Sequence, residues 1–322
     1  MSLHLGLAFD RTFPASFVLE VASRLDRHDD ARLWLIEDCF HTAAQPLAAA
    51  ALATTTRLNV GLGILPAVAR NPAIAAMEIA TLAELAPGRI IAGIGHGVQS
   101  WMGQMGVRPE SPLTTLEEVT VAVKRLLAGE EVTTQGSVVS LDAVKLEAPP
   151  SQPVPVISGV RGPKSLALAG RVADGVLLAE PAAPSYVRWA HQHTRVGDRA
   201  DDDFITAVYS PLCLTDDATQ AHQLMAPWVA GQLADPNAGV AALPFAEELQ
   251  ARFADGGDAA LVDMPHEWWT EIGPIGTLDD VMGHLGALAD AGVDHVGLFP
   301  APDVEVARRQ LDQLDTLMAA QP

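Results

Sequence analysis

The residues of this chain that could do chemistry gather where short apolar runs give way to glycines. The clearest case is Val156–Ser165, an apolar run that turns through Gly159 and Gly162 into a helical segment with Pro163 near its first turn. Such a helix start presents unpaired backbone N–H groups and the positive end of the helix dipole. Arg161 and Lys164 add formal charge beside it, in a chain with only 20 basic residues among 322. Binding of an anion, and of a phosphate above all, is the chemistry this pattern can do. A plain helix start with proline at its favoured position reads the same way. The phosphate reading assigns the contacts to Ser158, Gly159, Val160, Arg161, Gly162, Pro163 and Lys164.

Three further places carry chemistry. Asp38 follows the apolar run Leu33–Glu37. A carboxylate there can hold a ring nitrogen, or relay a proton if partial burial raises its pKa. It can equally cap a helix or pair with an arginine. The run Val60–Leu65 contains Gly61 and Gly63, which mark a bulge, the close approach of a ligand, or a corner that needs a small residue. Gly93, Gly95 and Gly97 alternate, stripping one face of side chains and leaving room for a planar ring. They do not open a helix directly, so the dinucleotide fingerprint is excluded. His96, between two of them, is a proton donor or a pocket wall.

The elements that must position these residues alternate along the chain. Strands are predicted at Leu3–Phe9, Leu33–Glu37, Leu58–Leu65, Arg89–Ile94, Val154–Ser158, Gly175–Leu178, Phe204–Leu212 and Val293–Phe299. Helical patterns separate them, including Pro72–Leu85, Leu113–Leu127 and Gly162–Arg171. Strand–helix alternation with right-handed crossovers predicts a parallel sheet closed into an α/β (β/α)8 TIM barrel, forming one domain over residues 1–322. Two stretches interrupt it. Val132–Val139 reads as a hairpin around Gly136, inserted before strand five. About Ala230–Ile275, after strand seven, reads as a helical insertion, either a lid or outer packing. In barrels of this kind the reactive groups stand at the carboxyl ends of the strands.

Composition narrows the partners. Acidic residues number 40 against 20 basic, a net charge of −20. That surface repels a phosphate backbone, and no basic stripe overrides it, so nucleic acid and anionic membrane are poor partners. The two cysteines, Cys39 and Cys213, lack CxxC spacing, which fits a reducing cytoplasm better than secretion. The first residues show no signal-peptide pattern, and no apolar run is long enough to span a bilayer. No metal-ligand cluster is expected.

The run Ser158–Gly175 resembles the phosphate loop and following helix of the bacterial luciferase-like family. Nearest within that family are the deazaflavin-dependent reductases typified by methylenetetrahydromethanopterin reductase. Ile36–Asp38, Val60–Ile64, Arg89–Gly97 and Gly276–Asp280 agree in order, covering nearly the whole chain. The resemblance implies an eight-stranded α/β barrel holding the deazaflavin F420, or FMN as the alternative, at its carboxyl end. It implies a cis peptide at Gly63–Ile64 behind the ring, Asp38 near the ring, Gly95 and Gly97 along its edge, and Ser158–Lys164 around the phosphate. Two departures stand out. Cys39 replaces a histidine common in deazaflavin relatives. Glu180 follows Ala179 where relatives carry a hydroxyl or small residue, and a carboxylate beside a phosphate repels it unless turned toward Arg161 or Lys164. The implied activity is hydride transfer between F420 and a small organic substrate, with Asp38 and His96 handling protons or polarising the ring. The alternatives are an FMN-dependent monooxygenase supplied by a partner flavin reductase, and a non-catalytic cofactor-binding protein. A homodimer is expected from the same resemblance.

Overall fold

Side chains along a strand point alternately to its two faces, and here that alternation builds two concentric cores. The computed structural model describes residues 3–195, 204–235 and 237–320. In β1 (His4–Phe9), Leu5, Leu7 and Phe9 face the surrounding helices while Ala8 faces the barrel axis. The other barrel strands are β2 (Arg32–Leu35), β3 (Asn59–Pro66), β4 (Ile90–Gly95), β7 (Val156–Gly159), β8 (Gly175–Leu178), β9 (Ile205–Pro211) and β12 (His295–Phe299). They close in the order β1-β12-β9-β8-β7-β4-β3-β2, every neighbouring pair parallel. This is the α/β barrel that the alternating pattern predicted.

The inner core is small and aromatic. Trp34, fully buried, meets Tyr209 edge-on at 5.9 Å between ring centroids. Ile157, Leu177 and Ala207 fill the rest of that layer. Trp34 fits only because its neighbours lack side chains: a Cβ added at Gly61 would stand 2.2 Å from its ring. Packing inside a barrel is therefore one reason for glycine in β3. The β3–β4 pairing also shifts register between Leu62 and Leu65, placing an irregularity just where β3 reaches the barrel mouth.

Helices α1 (Phe17–Leu25), α2 (Ala44–Ala53), α3 (Pro72–Leu85), α5 (Pro112–Leu127), α6 (Pro163–Val172), α7 (Pro184–Thr194), α12 (Leu278–Asp290) and α13 (Val304–Ala320) contribute buried residues to the outer core. The long loop after β4 carries a short helix, α4 (Gln99–Gln104). Between α5 and β7 lies an antiparallel pair, β5 (Val132–Gln135) and β6 (Ser140–Val144). Its turn is held by Glu118, whose carboxylate accepts from the N–H groups of Ser137, Val138 and Val139, each at 2.8 Å.

The excursion after β9 begins earlier than its sequence suggests. β10 (Cys213–Leu214) pairs with β11 (Ile275–Gly276), pinning together the two ends of a helical segment. That segment comprises α8 (Ala218–Ala234), α9 (Ala238–Ala241), α10 (Ala246–Val262) and α11 (His266–Ile272), with Pro236 outside the described residues. Pro227 lies inside α8. Proline there removes a helical hydrogen bond and reads as a breaker, which hides the helix in the sequence. Tertiary packing overrides it: Ala226, Val229, Ala230 and Leu233 bury against α10 and α11 in a separate apolar cluster with Trp269.

Candidate active site

A cavity of about 1200 Å³ opens at the carboxyl ends of the barrel strands, the end where such barrels hold reactive groups. All eight barrel strands, or the loops that leave them, contribute to its wall. Asp38, Gly63, Ile64, His96, Gly97, Gly159, Val160, Arg161, Gly162 and Glu180 line it. Among the residues assigned in the sequence to cofactor binding or proton handling, Gly95, Ser158, Pro163 and Lys164 do not.

Those exceptions have physical reasons. On β7, Ile157 faces the barrel axis and Val156 the helices, so Ser158 shares the helix-facing side. It is fully buried, and its Oγ has no hydrogen-bond partner. Pro163 and Lys164 are exposed on the first turn of α6. Of the two cations at that helix start, only Arg161 borders the cavity. The helix start itself has the expected form. Gly162 is the N-cap in extended conformation, Pro163 occupies the first turn, and the first N–H to pair with the cap is that of Leu166, on the Gly162 carbonyl at 2.9 Å. The N–H groups just before it belong to the set that a helix cannot satisfy internally. The hydroxyl of Tyr186 donates to the Arg161 carbonyl at 2.9 Å and steadies the loop from behind.

The floor is Ile64, with glycines packed closely around it. A Cβ would stand 3.0 Å from the Ile64 side chain at Gly93, 2.9 Å at Gly95 and 2.4 Å at Gly159. The alternating glycines of β4 make room for neighbouring backbone carbonyls as well as Ile64, since a Cβ would stand 2.4 Å from the Leu62 oxygen at Gly93 and 2.8 Å from the Gly159 oxygen at Gly95. Gly63 is emptied for a different neighbour, since a Cβ there would lie 2.0 Å from the Tyr209 hydroxyl. That hydroxyl donates to the Gly63 carbonyl at 2.9 Å. Burial, with the negative charges of Glu180 and Asp38, keeps Tyr209 neutral far above its ordinary range. The Gly63–Ile64 peptide is cis, as are Cys39–Phe40 and Glu180–Pro181.

The polar groups fall on one side. Asp38 pairs with Arg11 at 3.0 Å, both partly exposed, so the arginine-partner alternative holds for its carboxylate. Next to it Glu37 is gripped by both ends of the Arg70 guanidinium, one contact at 2.8 Å, and Arg70 also reaches Gln45 at 2.9 Å. His96 shares a 2.9 Å hydrogen bond between Nε2 and the Ser165 hydroxyl, tying the end of β4 to the first turn of α6. Burial lowers its pKa, with the Pro112 carbonyl opposing, so His96 stands as a neutral brace at ordinary pH.

Glu180 does not turn away to pair. Among the described residues neither Arg161 nor Lys164 forms an ion pair with it. Burial raises its carboxyl above the ordinary range, and the Arg161 charge pulls it back only through space. A group with a raised folded pKa binds more protons folded than unfolded. Its contribution to stability is therefore present at low pH. It declines as pH climbs from the unfolded value of about 4.3 through the raised folded one. Glu180→Gln removes that decline. Its melting temperature is expected to exceed that of the unsubstituted protein at about pH 8, with the gap closing toward about pH 4. A gap that ignores pH would show that folding does not raise the Glu180 carboxyl above its unfolded value.

Arg11, Glu37 with Arg70, and Tyr209 were not singled out in the sequence. A signal for Arg11 was present, since Asp10-Arg11 directly follows the first apolar run. Nothing local marks Arg70 or Tyr209, which reach the site through partners far along the chain.

Known proteins share this fold. The sequence pattern of the luciferase-like monooxygenase family matches residues 5–295. A 5,10-methylenetetrahydromethanopterin reductase from Methanolobus tindarius is 32% identical over 173 residues, 54% of this chain and 53% of that protein. The match thus spans about half the length of that relative. The Archaeoglobus fulgidus protein of the same name is 28% identical over 260 residues, 76% of this chain and 78% of that one. The structure of the coenzyme F420 dependent tetrahydromethanopterin reductase from Methanopyrus kandleri superposes with a TM-score of 0.78 at 21% identity, covering 97% of this chain and 98% of that one. The last likeness speaks for the fold. With a family match running through every barrel strand from β1 to the start of β12, the chain belongs to the luciferase-like monooxygenase family.

Proposed function

We propose that this protein is an oxidoreductase that uses the deazaflavin F420 to move a hydride to or from a small organic substrate. The observation that carries it is one cavity joining an apolar floor to an anion-binding helix start. Ile36, Ile64 and Leu177 offer a planar ring an apolar surface, and Arg161 with the free N–H groups of α6 suits its phosphate. The residues present fit such a group. When bound, it supplies two-electron hydride chemistry, while the protein supplies orientation and exclusion of water. In this reading Gly159, Val160, Arg161 and Gly162 hold the phosphate, Ile64 backs the ring, and Gly97 borders its edge. Asp38, oriented by Arg11, is the proton-handling group. His96 braces α6 and presents a neutral imidazole to the cavity. The similar reductases named above support F420 as the cofactor.

A second reading is an FMN-dependent monooxygenase fed by a partner flavin reductase, favoured by the description of the family itself. Titrating the protein with F420 and with FMN, followed by fluorescence, separates the two. The expected result is saturable F420 binding, with FMN bound at least about tenfold more weakly, a gap of 1.4 kcal/mol. FMN binding tighter than F420 would overturn the proposal, and binding of neither would leave a barrel without this chemistry. We infer a cytoplasmic place, supported by two free cysteines and by the finding that no helix among the described residues is long and apolar enough to cross a membrane. A homodimer belongs to the same reading.

A further inference from the structure

The cavity is divided by charge. Asp10, Arg11, Glu37, Asp38, Arg161 and Glu180 stand at the ends of β1, β2, β7 and β8. Apart from the β3 and β4 ends, which carry Ile64 and His96, the remaining sector lies between β9 and β12, neighbours in the barrel, and is roofed by α8. No side chain that lines this sector among the described residues is ionised at neutral pH. Leu212, Leu224, Met225, Trp228, Phe299 and Pro302 supply most of its surface.

Most of its polar groups are already engaged, the indole N–H of Trp228 excepted. Gln310 donates through Nε2 to the Leu212 carbonyl at 2.7 Å and accepts through Oε1 from the Ala301 N–H, also at 2.7 Å. The Leu212 N–H is paired with the Phe299 carbonyl at 2.8 Å. Burial pushes the Cys213 thiol up to about 11, so it remains neutral. A charged or polyhydroxylated ligand body entering here would lose its hydration and find few compensating partners, which costs free energy. A hydrocarbon body would gain from the same transfer.

The roof is built for this face. In α8 the positions 224, 225, 227 and 228 border the cavity, 226, 229, 230 and 233 are buried in the separate apolar cluster, and Met225 and Trp228 touch both. Leu224 is 60% exposed although apolar, on a helix whose opposite face is fully used. One isolated exposed leucine means little, but this one borders a wall of the same character.

We propose that the sector bounded by β9, β12 and α8 takes the body of an uncharged, largely hydrocarbon substrate, and that sugar phosphates and other anionic substrates are excluded from it. The assignment names the substrate class for the oxidoreductase proposed above and rests on that reading for its redox role only. Binding can be tested without any cofactor. The full chain is titrated calorimetrically with 1-butanol, 1-hexanol and 1-octanol, and with sorbitol and glucose 6-phosphate as polar counterparts. Affinity is expected to rise about fourfold for each added methylene, as complete burial of each would give, with neither sorbitol nor glucose 6-phosphate displacing bound octanol. Leu224→Lys, a surface substitution that leaves the circular dichroism spectrum unchanged, is expected to weaken octanol at least about tenfold and flatten the series. A series independent of chain length, octanol displaced competitively by glucose 6-phosphate, or octanol affinity untouched by Leu224→Lys would each overturn the assignment. Cofactor affinity is measured on the same samples. Its absence with an intact alcohol series refutes the oxidoreductase reading alone, and the converse refutes the apolar sector alone.

Discussion

Gly159→Asp is expected to lower cofactor affinity by about a hundredfold, near 2.7 kcal/mol, and to destabilise the protein as well. Two causes act together. The new carboxylate would stand at the wall that includes Arg161 and the free end of α6, repelling the phosphate it should attract. Its Cβ alone would lie 2.4 Å from Cγ2 of Ile64, so the floor must move even before charge is considered. The steric part can be isolated with Gly159→Ala, expected to cost about 1–3 kcal/mol of stability, as overpacking of a tight site does. In an Ile64→Ala background that cost should largely vanish, because the clashing branch is gone. A double-mutant cycle read by urea denaturation measures the coupling. Additive effects would show that Gly159 is glycine for some reason other than Ile64.

Arg161→Glu should weaken cofactor binding by about ten- to a hundredfold, the range for losing a hydrogen bond to a charged group plus the added repulsion. Lys164→Glu, at a residue outside the cavity wall, should change it by less than about threefold, as expected of exposed charge screened by salt. The two substitutions make the same change in charge, three residues apart, so their contrast reports position and not net charge. Fluorescence titration at low and high salt provides the measurement. Equal losses at both positions would place the phosphate outside the cavity, along the surface of α6.

Much of this was legible along the chain. The barrel was, because each strand is a local apolar run bounded by its own turn residues and each helix carries its own periodicity. Pro163 after Gly162 marked the start of α6, since the proline and the glycine act through their own backbone. The glycines were legible as sites of close approach, but their partners were not. Gly61 serves Trp34, Gly63 serves Tyr209, Gly159 serves Ile64, and Gly93 and Gly95 clear the Leu62 and Gly159 carbonyls as well as Ile64. Each of these pairs joins different strands, and a missing Cβ does not announce which neighbour fills its place.

What the sequence by itself determined is the order of elements, the end of the barrel where chemistry gathers, and the helix start suited to an anion, all consequences of short-range pattern. What only the tertiary structure decided is which side chains meet there. Asp38 is held by Arg11, 27 positions away, His96 by Ser165, 69 positions away, and Gly63 by Tyr209, 146 positions away. It also turned Ser158 to the helices and Lys164 to solvent, and brought an α8 with an internal proline over the mouth. Barrel closure sets those encounters, and closure is a property of all eight strands together, which no local stretch encodes.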